Sequence, residues 1–470
     1  MIGNQGRTGA SNRKVLVIGL DCVPPELLFE QYRSDLPHFA ELMSKGVWGE
    51  LESCHPPITV PAWSCMMSSQ DPGQLGIYGF RNRADHSYDK LSIATGNAVK
   101  AERVWDTLSQ ADKKVAVIGV PGTYPPRPVN GMMVSCFLTP STKNQYTYPA
   151  ELQDEIAGLV GEYLVDVKGF RTEDKDWLLR QIYEMTEKRF RLVRHWLRTK
   201  PWDFFMFVEM GTDRIHHGFW KFLDPGHRGY EKGNRFEHAI REYYKYLDRE
   251  LGELLTLIDD DTVVLIVSDH GAKKMDGGIC INEWLLQNGY LTLRQKPASP
   301  AAIDKCDVDW SKTIAWSEGG YYARLFINVK GREPEGVVDP KDYEQLRNEL
   351  AEQIAAIPDH HGQPIGTKVY KPQALYREFN NIPPDLLIYF GDLYWRSVGT
   401  IGGGAIHTFD NDTGPDDANH AQNGVLILHD PANPGNGREI KGMRLYDVAP
   451  TILSLFGMAP LPQMIGKRIV

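Results

Sequence analysis

Six short stretches of the chain are apolar almost without interruption and end at or just before Gly, Asp or Pro. They read KVLVIGLD at residues 14–21, KVAVIGVP at 114–121, FFMFVEM at 204–210, TVVLIVSD at 262–269, DLLIYF at 385–390 and GVLILH at 424–429. Continuous apolar character rich in Val, Ile and Leu marks strands covered on both faces, as in parallel sheets. Between these runs, apolar residues recur at helical spacing over 36–43, 102–110, 176–198 and 235–257. Pro37 suits the opening turn of the first helix. Strands alternating with helices predict an α/β fold with a doubly wound, mostly parallel central sheet flanked by helices.

The rhythm breaks once. Residues 291–380 hold Asp309-Trp310, the strand-like YARLFINV and a charged helical pattern over 343–357. This stretch reads as an inserted cap subdomain. The expected organisation is a disordered tail at 1–13, a first core part at 14–290, the cap at 291–380 and a second core part at 381–470. Residues 148–199 are a second, mostly helical candidate insertion. No internal repeat is visible.

A chain of 470 residues holds ample core. Its formal net charge is 52 − 61 = −9 with no long Lys/Arg run, so no nucleic-acid backbone partner is implied. Acidity does not forbid an anionic substrate, because bound cations reverse the local field. The opening MIGNQGRTGASNRK lacks the apolar stretch of a signal peptide, and no run approaches the roughly 18 apolar residues of a membrane span. The six cysteines are scattered without a CxxC pair and read as buried thiols in a reducing compartment, by expectation the cytoplasm.

Candidate chemistry collects at the ends of the predicted strands, where open α/β sheets bind ligands. Asp21 closes the first strand, or caps the helix after it. Thr59, in PPITVPAWS, stands at a helix start marked by Pro61, where free amides favour an anion and an ionised hydroxyl. It could equally be a plain N-cap. Asp213 and His217 are four apart after FFMFVEM and share a helical face, with His216 as a rival ligand. Asp269 and His270 end TVVLIVSD, and both reach one ion only if the backbone turns at Gly271. His420 precedes GVLILH, with His407 competing in the same loop. Three Asp and three His make two sites: Asp21, Asp269 and His270 for one, Asp213, His217 and His420 for the other. Such mixed ligands suit Zn2+ or Mn2+. Two ions about 4 Å apart would clamp an in-line displacement with Thr59 as nucleophile.

The ordered stretches VIGLDCV, PPITVPAWSCMMSSQDPGQLGIYGF, FVEMGTDRIHHGFW, VLIVSDHG, NHAQNGVLIL and DVAPTILSLFG resemble the type I phosphodiesterase/nucleotide pyrophosphatase branch of the alkaline phosphatase superfamily. The resemblance spans nearly the whole chain. It implies an alkaline phosphatase-like fold and a hydrolase acting on phosphoric ester bonds. It implies two divalent ions, with Asp21, Asp269, His270 and Thr59 on one and Asp213, His217 and His420 on the other. The reaction implied runs through a covalent phospho-threonine.

Two departures bear on substrate. Thr59-Val60-Pro61-Ala62 stands where many relatives read T-F-P-N. Phe80 follows Leu75–Gly79 where they place an Asn that holds a phosphate oxygen. Asn82 is then either the substitute donor or a loop residue, and Arg81 or Lys273 either further donors or surface charges. Trp63 and Trp316 are expected beside the substrate with Asn82, which favours a small-molecule phosphodiester over a monoester. A phosphomonoesterase or phosphomutase is the alternative within the superfamily, and a catalytically silent metal-binding scaffold the alternative outside it.

Overall fold

The structure, a computed structural model, describes residues 13–470; the expected tail at 1–13 lies outside the described residues except for Arg13. Five of the six apolar runs form the centre of one ten-stranded sheet. Val15–Leu20 lies at its middle, parallel to Phe204–Glu209 on one side and to Val263–Val267 on the other. Val115–Ile118 pairs parallel with Phe204–Glu209, and Gly131–Val134 extends that side. On the other side Asn423–His429 runs antiparallel to Val263–Val267, and Val47–Glu52 antiparallel to it. The strands Val15–Leu20, Val263–Val267 and Phe204–Glu209 are buried at every position, as their unbroken apolar pattern requires. Helices Pro37–Lys45, Val104–Gln110, Lys175–Thr199 and Ala239–Leu255 fall where the helical spacing placed them. The long helix Lys175–Thr199 buries Leu178, Ile182, Phe190 and Trp196 in the main core, so it belongs to the core layer.

The sixth run departs from expectation. Leu386–Tyr389 is not in the central sheet; it lies between Ala323–Ile327 and Lys368–Tyr370 in a separate antiparallel sheet that Ala315–Glu318 completes. A strand sandwiched in any sheet is buried on both faces, so its composition does not say which sheet holds it. A second hydrophobic core surrounds this sheet and runs from Ile279 to Ile401. The expected limits at 291 and 380 therefore cut through a larger unit, which also takes in the strands Gly277–Cys280 and Trp395–Val398.

One contact ties the main core to the site above it. An added Cβ at Gly19 would lie 2.6 Å from the Trp63 ring and 2.7 Å from a Val208 methyl. Trp63 therefore packs directly on the central strand. Gly19→Val is expected to cost about 1–3 kcal/mol by overpacking, read as a lowered midpoint in denaturant unfolding. An unchanged midpoint would show that the ring has room to move.

Candidate active site

The carboxyl edge of the central sheet gathers the predicted residues. Val15–Leu20 ends at Asp21, and Cys22 takes a left-handed φ of 66° that turns the chain sharply. Val263–Val267 delivers Asp269 and His270, and Phe204–Glu209 leads into the helix Gly211–Leu223, which carries Asp213 and His217 on one face. His420 arrives on Ala418–Ala421, which pairs antiparallel with Gly271–Lys274 and sets His420 opposite Ala272. Gly271 serves close approach: a Cβ there would stand 2.3 Å from the Asn423 carbonyl oxygen.

These side chains form two adjoining buried groups. In one, Asp21, Asp269 and His270 bring ligand atoms within 4.8 Å of one another; in the other, Asp213, His217 and His420 do so, joined by Cys22. His270 Nε2 is 3.1 Å from Asp269 Oδ2 and 3.8 Å from Asp21 Oδ1. His217 Nε2 is 3.3 Å from both Asp213 Oδ1 and His420 Nε2. The His270 and His420 rings stack at 3.9 Å, so the groups share a wall.

Each imidazole is held by its other nitrogen. His420 Nδ1 meets the Pro57 carbonyl at 2.8 Å, His270 Nδ1 the Gly271 carbonyl at 3.1 Å, and His217 Nδ1 the Asp416 carboxylate at 2.7 Å. This frees every Nε2 to converge, as in metal centres whose ligands are oriented from behind. Asp21 Oδ1 and Asp269 Oδ2 are buried with no hydrogen-bond partner. Burial, with the neighbouring carboxylates, pushes both acids well above their usual range. Burial also opposes ionisation of Asp213, but His217 and Arg214 hold it well below that range. Orphaned carboxylate oxygens facing convergent imidazole nitrogens are what a divalent cation satisfies.

Thr59 opens the helix Thr59–Ser68, with Ile58 rather than Thr59 as its N-cap. Its hydroxyl is thus not spent on capping, and lies 3.4 Å from His270 Nε2. A cleft of about 490 Å3 leads to it, with Thr59, Asp213, His217 and His420 in its lining.

The rival ligands are placed elsewhere. His216 bonds the Tyr244 hydroxyl at 3.1 Å, and burial lowers it to about 3. His407 bonds the Pro358 carbonyl beside the second core. The three expected substrate contacts also differ from expectation. Trp63 is fully buried and donates its indole N–H to Asp21 Oδ2 at 2.7 Å, so it steadies a carboxylate instead. Asn82 spends both ends of its amide on its own loop, accepting from Tyr78 N and donating to Gly79 O. Trp316 lies inside the second core against Tyr88 and Trp310. Lys273 donates to the Asp392 carbonyl, while Arg81 does line the cleft.

The cleft is completed by residues from several segments, of which Phe137, Phe170, Arg171 and Arg214 escaped sequence reasoning. Tyr321, from the second unit, lays its ring over His217 and His420 with centroids 5.0 and 4.3 Å away. Its hydroxyl meets Asp416 and Arg171, and Arg171 meets Asp416 in turn. Arg214 grips Asp166 with two hydrogen bonds and also reaches Asp213. Phe80, Phe137 and Phe170 supply apolar lining. For Asp416, the acidic stretch so close before His420 was the available signal.

The sequence profile of the type I phosphodiesterase/nucleotide pyrophosphatase family matches residues 15–416. The chain belongs to this family. Membership marks it as a phosphoester hydrolase. No curated protein matches it in sequence. Among solved structures, human ectonucleotide pyrophosphatase/phosphodiesterase 5 shares the fold at a TM-score of 0.57 and 15% identity, over 96% of both chains. An inactive murine form of that protein in complex with AMP matches at a TM-score of 0.56 and 15% identity, again over 96% of both. Phosphonoacetate hydrolase from Sinorhizobium meliloti, in complex with phosphonoformate, matches at 0.61 and 14%, over 95% of both. Among the described residues, no helix is long and apolar enough to cross a membrane.

For a cation held by His217, Asp416→Asn is expected to weaken binding by about 10–100-fold, measured by competition with a chromogenic chelator. His217→Ala should lower the metal bound per chain while His216→Ala leaves it unchanged. The reverse pattern would move the ligand to His216.

Proposed function

We propose that this chain is a two-metal phosphodiesterase in which Thr59 attacks phosphorus and forms a covalent phospho-threonine. The observation that carries the reading is the Thr59 hydroxyl, free of capping duty, beside two adjoining ligand groups in one cleft. Asp21, Asp269, His270 and Thr59 are assigned to one divalent ion, and Asp213, His217 and His420 to the other. Bound there, Zn2+ or Mn2+ would favour the alkoxide and offset charge on the attacking and leaving oxygens.

The residues do the rest. Thr59 gives its proton to solvent and bonds to phosphorus as the bond to the leaving oxygen breaks on the opposite face, that oxygen departing with the bonding pair. Free amides in the first turn of Thr59–Ser68 offer hydrogen bonds to the anion. Water then attacks the phospho-threonine and restores the hydroxyl. Trp63 keeps Asp21 in place throughout, and Arg214 does the same for Asp213.

The wall beyond Thr59 supports a diester. Phe80, Phe137 and Phe170 offer apolar surface for a second substituent. Arg324, which is 8% exposed, donates to the Arg81 carbonyl and makes no ion pair among the described residues, so one donor edge is left for an anionic or polar group on that substituent. The complex of a fold neighbour with AMP fits a small phosphate-bearing ligand of this kind. A reducing, cytoplasmic setting belongs to the same proposal, in line with six unpaired thiols.

Hydrolysis of bis-p-nitrophenyl phosphate is expected to exceed that of p-nitrophenyl phosphate, to vanish with chelator and to return with zinc or manganese. Thr59→Ala should lower kcat by at least about 1,000-fold, in the range for removal of a nucleophile, while two metals stay bound. Monoester preference would shift the reading to a phosphatase or mutase; near-normal turnover in Thr59→Ala would remove the nucleophile assignment. Arg324→Ala should raise KM for the diester and leave kcat little changed.

A further inference from the structure

We propose that Cys22 supplies a sulfur ligand to the cation held by Asp213, His217 and His420, making that site a four-ligand, sulfur-containing centre. The inference rests on the two-cation reading and adds a ligand that the composition gave no reason to expect. Cys22 follows Asp21 directly, so an ordinary extended backbone would send the two side chains apart. Instead Cys22 adopts a left-handed φ of 66°, a conformation a non-glycine residue rarely takes. The turn sends Asp21 to one group and the Cys22 sulfur to the other.

The spacing fits coordination. Nitrogen and oxygen ligands about 2.1 Å from a tetrahedral ion lie about 3.4 Å from one another. The separations His217–His420, His217–Asp213 and His420–Asp213 are 3.3, 3.3 and 3.9 Å. The Cys22 sulfur falls within 4.8 Å of the same three ligand atoms, so a small inward shift completes the polyhedron. Cys22 is wholly buried, and its thiol, a weak donor, makes a 3.5 Å hydrogen bond to the Gly271 carbonyl. Nothing strong holds the sulfur back. On coordination Cys22 gives its S–H proton to solvent and the sulfur lone pair takes the cation.

The consequence is an unequal pair of sites. Asp21, Asp269 and His270 offer two carboxylates and one imidazole, a set that accepts manganese or zinc. Asp213, His217, His420 and Cys22 offer one carboxylate, two imidazoles and a thiolate, a set whose nitrogen and sulfur ligands select zinc or cobalt over magnesium, calcium and manganese.

The test uses the full chain stripped with chelator and reloaded with cobalt(II) under anaerobic conditions. Two equivalents with a near-ultraviolet thiolate-to-cobalt charge-transfer band are expected. Cys22→Ser should lose that band and bind one of the two ions about tenfold more weakly or worse. Two bound cobalt ions with no such band overturn the proposal, as does a band that persists in Cys22→Ser. If the serine variant does not fold, Cys22→Ala is read in the same way. Failure of the functional reading is separable: bound cobalt with the band but no diester hydrolysis leaves the ligand assignment standing, whereas no bound cobalt removes both.

Discussion

Charge crowding at the carboxyl edge of the central sheet is the constraint around which the rest is arranged. Asp21, Asp213 and Asp269 are all buried within one small volume, together with three imidazoles. Carboxylates this close and this dry repel one another unless a cation lies among them. The surrounding structure holds the crowd together by fixing each member from behind. Trp63 fixes Asp21, the backbone amide of Cys22 meets Asp269, Arg214 fixes Asp213, and Asp416 fixes His217. Those supports in turn lean on the main core, where Trp63 packs on Gly19, and on the second unit, where Tyr321 covers two of the histidines.

Much of the fold could be read from the sequence because buried parallel strands announce themselves. VLVIGL, FFMFVE and VVLIV have no polar residue before the strand end, and each became a central strand. The site was legible for the same reason: residues at strand ends converge whatever lies between them in sequence. The i, i+4 spacing separated His217 from His216, since only one of two adjacent helical residues faces the cluster. What the sequence hid was sheet membership. LLIY looks like any other central strand, yet it pairs in the second unit, and so the unit's limits were drawn too narrowly.

The expected substrate contacts went astray for a related reason. An aromatic residue beside a motif can serve the motif from behind as well as the ligand from the front. Trp63 and Trp316 have low exposure because the cores need their bulk. Among the residues that do face the cleft, Phe137, Phe170 and Arg324 lie on three separate segments and share no spacing that one sequence could reveal.

The delivery of His420 has a consequence for how the protein comes into being. Its strand, Ala418–Ala421, reaches the cluster only by pairing with Gly271–Lys274, about 150 residues earlier in the chain, and the sheet is sealed by Asn423–His429 alongside Val263–Val267. During synthesis the first five acidic and imidazole groups emerge long before the sixth. A growing chain therefore cannot bring all six groups together until His420 and its strand have been made, so closure of the cluster is a late event of folding and one that depends on segments far apart in sequence.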